Sequence, residues 1–315
     1  MLDPGPAWRL PPNAPVAVLG AGLMGHAIAA IFLAHGYNVT CCDPSESARE
    51  SLPERVDAVL DILGRRDGKL GLLTSVADSS QLDPGTLFVV EAAPELLPLK
   101  QQLLVDVAMA LPYAVIATNT SVFCVKDVTA LMSDRDRVVG THWWNPPHLI
   151  PLVEVVQSVD SDPAIVRGVF DLMVSLGKSP VHVKLDTPGF IGNRLQHALW
   201  REAMALIQEG VCDAAAVDHV IRNSMGLRLS EVGPIENADY VGLDLTLAIH
   251  SYIFPSLSAA RAPLKILQDA VDAGDLGAKT GRGFLEWPEG RKEETARRLS
   301  ERVQLLTALA SGPNS

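Results

Sequence analysis

Residues 16–43 constrain the fold more than any other stretch of the chain. Val16-Ala17-Val18-Leu19 is a short apolar run of the buried-strand type. It passes directly into Gly20-Ala21-Gly22-Leu23-Met24-Gly25 and then into an alanine-rich helical stretch, His26 to His35. Tyr37-Asn38-Val39-Thr40-Cys41-Cys42 reads as a second strand that ends at Asp43. Strand, glycine turn, helix, strand, acid is the order that a dinucleotide-binding unit requires. In such a unit Gly20 allows the tight turn, Gly22 lets the backbone approach a pyrophosphate, and Gly25 lets helix and strand pack closely. The diphosphate then lies against the helix N-terminus, where Leu23 and Met24 complete the turn and free N–H groups favour anions. Asp43, 18 residues after Gly25, is placed to accept hydrogen bonds from a ribose diol. A 2′-phosphate would meet that carboxylate, and Pro44-Ser45 offers no arginine to hold it, so the expected cofactor is NAD rather than NADP.

Further α/β units follow. Leu87-Phe88-Val89-Val90-Glu91 is a buried-type strand, Lys100 to Leu111 reads as a helix, and Ala114 to Thr118 is another strand, ending in Asn119-Thr120-Ser121. In open parallel sheets ligands bind beyond the carboxyl ends of the strands, where Glu91 to Glu95, residues 119–121 and His142 all fall. His142 closes an apolar run that starts at Val138, because Pro146 and Pro147 cannot continue a ladder. In the next apolar run Glu154 stands between Leu152 and Val156 at the period-two spacing of one strand face. An ionised carboxylate there is costly unless compensated, and His142 is its natural partner. The carboxylate would fix the imidazole tautomer and stabilise its cation, which suits general-base work. The competing reading is a satisfied core histidine beside a strand-end glutamate. For residues 119–121 the competing reading is ordinary helix capping.

At 315 residues the chain suggests two domains. Prolines 4, 6, 11, 12 and 15 mark residues 1–15 as an irregular extension, and the sheet domain is expected over 16–186. Val181 to Lys184 reads as a closing strand and Asp186-Thr187-Pro188-Gly189 as a hinge, after which helical periodicity takes over residues 187–315. The helices expected are Phe190 to Gln208, with Asn193 in its first turn, then Asp213 to Met225, Pro234 to Ile253 and a charged surface helix, Glu289 to Leu309. The net charge of −11 comes with no block of lysine or arginine, which argues against nucleic acid or an anionic membrane as partner. No apolar run is long enough to span a bilayer, and residues 1–15 lack the pattern of a secretory signal. Four cysteines without zinc-ligand spacing point to reduced thiols in a cytoplasmic protein, and no metal site is expected. Of the remaining histidines, His148 stands out because it lies six residues beyond His142.

Taken together, the motifs resemble the NAD-dependent L-3-hydroxyacyl-CoA dehydrogenase family from Val16 to about Trp287. In matching order they are Gly20-x-Gly22-x-x-Gly25, Val90-Glu91-Ala92 with Glu95 and Lys100, Asn119-Thr120-Ser121, His142-x-x-Asn145-Pro146, Leu152-Val153-Glu154-Val155 and Asp186-Thr187-Pro188-Gly189-Phe190-Ile191-x-Asn193-Arg194. Gly233-Pro234, Asp239 to Asp244 and Lys279-Thr280-Gly281-x-Gly283-Phe284 continue the series. The resemblance implies a Rossmann-type, mostly parallel α/β sheet domain followed by an all-helical C-terminal domain for substrate binding and dimerisation. It implies oxidation of a secondary alcohol, a 3-hydroxyacyl group or small 3-hydroxy acid, with a place in fatty acid metabolism. His142 matches the family's base, Glu154 the residue that orients it, and Ser121 and Asn193 the contacts to the substrate oxygen. Asn145 falls on the substrate side, Glu95 and Lys100 near the nicotinamide end of the cofactor, and Asn119 among the cofactor-binding residues. Leu195, Leu199, Leu206, Leu243, Leu247 and Ile249 either form a homodimer contact or fill the domain's own core.

Some departures bear on substrate. Val122 and Leu96 replace a typical serine and asparagine, and Trp143-Trp144 a usual pair of phenylalanines. The segment between Asp43 and Asp78 is short and poor in lysine, unlike the CoA-clasping hairpin of acyl-CoA enzymes; Arg65-Arg66 is its one adjacent basic pair. Pro146-Pro147-His148-Leu149-Ile150-Pro151 looks like relatives acting on free hydroxy acids, such as gulonate dehydrogenase, or on pyridine-ring alcohols. The alternatives are a β-hydroxyacid dehydrogenase type that uses a lysine, for which Lys178 and Lys184 are the lysines near the hinge, and a catalytically silent NAD-binding protein.

Overall fold

The alternation of short apolar strands and helices assembles into one eight-stranded sheet. The computed structural model describes residues 7–65 and 69–310. The strands are β1 (Pro15–Leu19), β2 (Asn38–Cys42), β3 (Leu73–Val76), β4 (Phe88–Glu91), β5 (Val115–Thr118), β6 (Val138–Trp143), β7 (Leu152–Val156) and β8 (Ser179–Val183). Their order is β3-β2-β1-β4-β5-β6-β7-β8. All neighbours run parallel except β6 and β7, which are antiparallel. The order reverses between β1 and β4, which makes their carboxyl ends the switch point where open sheets bind ligands.

Period two decides which side chains meet which layer. Val16 and Val18 pack with Ile28 and Phe32 of α1 (Gly25–Ala34), Val56 of α3 (Leu52–Ile62) and Val169 of α6 (Pro163–Ser175). Ala17 and Leu19 face the other way, onto Leu104 and Val107 of α4 (Leu97–Ala110) and Val125 and Val128 of α5 (Val125–Val128). Cys41 and Cys42 likewise belong to opposite layers, and burial pushes their thiols up to about 12 and about 11. α2 (Glu46–Glu50), α3, β3, α5 and α6 join the elements read from the sequence. α2, β3 and α5 are only four or five residues long, too short to show a period, and α3 and α6 each carry a proline in their first turn.

The chain divides into two compact units at Arg194/Leu195. Asp186 belongs to the first, where its carboxylate accepts N–H bonds from Val125 and Lys126 at 3.0 and 2.9 Å. The second unit is helical: most of α7 (Gly192–Gln208), then α8 (Ala214–Asn223), α9 (Met225–Arg228), α10 (Pro234–Val241), α11 (Leu243–Ile253), α12 (Lys265–Asp272) and α13 (Arg291–Ala310). Two expected helices are broken. Pro234 to Ile253 stops at Gly242, whose φ of +101° and ψ of +129° no helix accommodates. Asp213 to Met225 breaks at Ser224, which leaves the helical region with φ −133° and ψ −103°. Among the described residues no helix is long and apolar enough to cross a membrane.

Candidate active site

At the end of β1 the chain turns through Gly20 at φ +98°, where a Cβ would stand 2.7 Å from the carbonyl oxygen of Ala92. Gly25 lies so close to the Gly20 carbonyl that any side chain would overlap it, and Gly22 has open space on the side a Cβ would occupy. Leu23 is exposed and Met24 half-buried, packed against the sheet's first core layer. Asp43 is drawn onto this turn: its Oδ2 accepts the Ala21 N–H at 2.7 Å and its Oδ1 the Ser45 N–H at 2.9 Å. Each carboxylate oxygen keeps a lone pair for a ribose hydroxyl. The glycine turn, the open approach at Gly22 and this acid fit a bound NAD. Arg49, which the reading of Pro44-Ser45 overlooked, folds back from α2 to donate to the Asp43 carbonyl at 2.6 Å. Arg55 donates to the carbonyls of Ala21 and Ala48, both at 2.7 Å, tying α3 to the turn.

At the ends of β4 and β5 lies a buried charge network that sequence reasoning did not resolve. Glu91, fully enclosed, accepts from Lys100 Nζ at 2.7 Å, Thr118 Oγ1 at 2.6 Å and the Ala93 N–H at 2.8 Å. Lys100 is equally buried and also donates to the Ala93 carbonyl and lies 3.3 Å from Glu95 Oε2. Glu95 Oε1 in turn accepts from Thr120 Oγ1 at 2.6 Å and from the N–H groups of Ser121 and Val122 at 2.9 and 3.2 Å. Burial would raise the Glu95 carboxyl, but these donors and the Lys100 ammonium outweigh it and hold it below the usual range. Asn119 is buried and accepts the Trp143 N–H at 2.9 Å, linking the end of β5 to β6. The signal for Glu91 is an acid that closes an apolar strand, whereas Glu154 stands in the middle of one.

Antiparallel pairing sets His142 directly opposite Glu154. Both are buried, with His142 Nδ1 2.7 Å from Glu154 Oε2. The other oxygen, Oε1, accepts the N–H groups of Ile191 and Gly192 at 2.9 and 3.0 Å, at the start of α7. Burial would raise the Glu154 carboxyl, yet the imidazole bond and these two N–H groups hold it below its usual value. An ionised carboxylate only accepts, so Nδ1 is the donor, and in the neutral imidazole Nε2 is then the nitrogen with the lone pair. The same helix start places Asn193, buried, with Nδ2 donating to the Ser121 carbonyl at 2.8 Å. The Ser121 hydroxyl has no partner among the described residues. Asn145 is exposed in the loop after β6, and the rings of Trp144 and Phe190 lie 5.2 and 5.7 Å from the imidazole. Thus His142, Glu154, Asn193 and Ser121 converge on one end of the sheet, while Lys100 joins Glu91 and Glu95 at the end of β4 and the start of α4.

A mostly parallel sheet with a glycine turn at its switch point and an acid at the end of the second strand is the frame of an NAD-dependent oxidoreductase. The chain belongs to the 3-hydroxyacyl-CoA dehydrogenase family: residues 15–187 match the family's NAD binding domain and residues 189–287 its C-terminal domain. Its cofactor is NAD. It is 37% identical over 283 residues to an L-carnitine dehydrogenase from Streptomyces griseus, covering 86% of this chain and 84% of that one. It is 31% identical over 301 residues to the 5-formyl-3-hydroxy-2-methylpyridine 4-carboxylate 5-dehydrogenase of Mesorhizobium japonicum, covering 93% and 97% of the two chains. A crystal structure of an enzyme of that activity, described as an NAD+-dependent dismutase, superposes with a TM-score of 0.88 at 30% identity over 95% of this chain and 99% of that one. That of (S)-3-hydroxybutyryl-CoA dehydrogenase from Ralstonia eutropha gives 0.70, also at 30% identity, over 88% and 99%.

Proposed function

We propose that the protein oxidises the secondary alcohol of a compact hydroxy acid or related cyclic alcohol, with His142 as general base. The observation that carries this reading is the Nδ1–Glu154 bond of 2.7 Å, which in the neutral ring leaves Nε2 as the nitrogen able to take a proton. Bound NAD supplies the hydride acceptor. His142 Nε2 takes the hydroxyl proton as the carbonyl forms, and Glu154 stabilises the resulting imidazolium. The Ser121 hydroxyl and the Asn193 amide are the donors for the developing carbonyl oxygen, with Asn145 on the substrate side. Glu95 orders the 120–122 turn through three bonds, and Lys100 holds Glu95.

A free acid is favoured over a CoA thioester by the basic residues between Asp43 and Asp78. A CoA carries phosphates that arginine and lysine clusters hold. Here Arg55 is turned inward onto the carbonyls of Ala21 and Ala48, and Arg49 lies on the carbonyl of Asp43, the acid proposed for the NAD ribose. Arg65 and Lys69 are exposed, and Arg66 lies outside the described residues. The relatives named for L-carnitine and for a pyridine carboxylate support the same choice. A homodimer through the second unit is part of this reading, because Leu195, Leu199, Leu243, Leu247 and Ile249 are exposed rather than packed in a core of their own.

The test is NADH absorbance with L-carnitine, 3-hydroxybutyrate, pyridine-ring alcohols and 3-hydroxybutyryl-CoA, on wild type and His142→Ala. The variant is expected to bind NAD normally and to lose about 10²–10⁴-fold in rate. A near-normal rate would remove His142 from the chemistry. A preference for the CoA ester by several orders of magnitude in kcat/KM would overturn the free-acid assignment.

A further inference from the structure

Lys178 sits between α6 and β8, next to Ser179, whose N–H donates to the Pro151 carbonyl at 2.9 Å. Its side chain turns inward onto the loop that joins β6 to β7. Nζ donates to the carbonyl of Pro147 and, at 3.1 Å, to that of Ile150, and lies 5.5 Å from the centre of the Trp143 ring. Among the described residues no carboxylate pairs with it. A lysine that only covers apolar surface carries its ammonium out to water. This one gives up hydration without a counter-charge, and burial pushes it down to about 8. The loop it holds begins beside the reacting pair: Trp144 packs on the His142 ring at 5.2 Å, with its indole edge against Gly192. The same loop carries Asn145 and His148, whose enclosed Nδ1 has no partner and which burial, then His26 and Lys178, push down to about 4.

We propose that Lys178 is a positioning residue for the reaction, clamping the β6–β7 loop so that Trp144 stays packed against His142 and the substrate side of the site keeps its shape. The clamp rests on the reading of His142 as the base, but it acts through the loop and not on the proton. Two carbonyls three residues apart define the loop's path, and a single ammonium with three donors can hold both.

The experiment compares wild type with Lys178→Met, which removes the donors, and Lys178→Arg, which restores charge and reach. Lys178→Met is expected to raise KM about tenfold for the best hydroxy acid of the panel, with kcat within about threefold and NAD affinity unchanged, because the loop is misplaced while the base is intact. Lys178→Arg should return most of the KM. A second readout does not need turnover. The fluorescence owed to Trp144, taken as the difference from Trp144→Phe, should become more readily quenched by acrylamide in Lys178→Met. If Lys178→Met does not fold, Lys178→Leu, which also lacks the donors, carries the same comparison. Unchanged KM and quenching would overturn the clamp, as would equal losses of NAD and alcohol affinity or a Lys178→Arg variant no better than Lys178→Met. His142→Ala reports separately: should it stay active while Lys178→Met behaves as expected, the base assignment falls and the clamp stands.

Discussion

At the residue scale the candidate chemistry depends on a carboxylate that is buried yet kept ionised. Glu154 is held below its usual value of 4.5 by the imidazole and two helix-start N–H groups, against its own burial. A carboxyl depressed in the folded state adds stability that is present above its unfolded value and lost as pH falls through the folded one. Thermal melts of wild type and Glu154→Gln should therefore differ most near neutrality and converge as pH drops below about 4.5. A gap that widens on acidification would contradict this. Asp43 and Arg49 make a second pair worth testing. The guanidinium already lies on the Asp43 backbone, so the carboxylate is what repels a 2′-phosphate. Asp43→Asn should raise NADP affinity by about tenfold through Arg49, and Asp43→Asn with Arg49→Gln should lose that gain. Calorimetry that shows the double variant binding NADP equally well would remove Arg49 from the argument.

At the element scale, turns decide where functional groups arrive. The β6–β7 pairing sets His142 against Glu154, and the start of α7 delivers both the Glu154 donors and Asn193. In the second unit the α10–α11 break is fixed by Gly242 in a region of backbone space that other residues enter only with strain. Gly242→Val is expected to destabilise the fold by about 1–3 kcal/mol, read as a lower Tm. An unchanged Tm would mean that the break relaxes into the continuous helix the local pattern had suggested.

At the scale of the whole molecule, the first unit builds two packed layers around its sheet, whereas the second leaves much of its apolar surface open. Ile235, Tyr240, Leu243, Leu247 and Tyr252 are 77%, 87%, 63%, 68% and 89% exposed. Large exposed apolar side chains of this kind are the basis on which we propose the homodimer. Light scattering on the purified protein should give the mass of a dimer of this 33.7 kDa chain, and Leu243→Glu with Leu247→Glu should lower it towards one chain. A wild type that stays monomeric at micromolar concentration would refute the homodimer.

The sequence by itself determined what local chemistry can encode: the glycine turn, the acid at the end of β2, the period-two strands, and the histidine and glutamate flanking a proline-broken turn. These were legible because each lies within one continuous stretch of chain, residues 16–43 or 138–156. What only the tertiary structure decided involves partners far apart in the chain, such as Lys178 on the 147–150 loop, Asn193 on Ser121 and Arg55 on the glycine turn. The helices that break at Gly242 and Ser224 were hidden for another reason. Their apolar pattern takes its meaning from the layer it faces, and no window of sequence contains that layer.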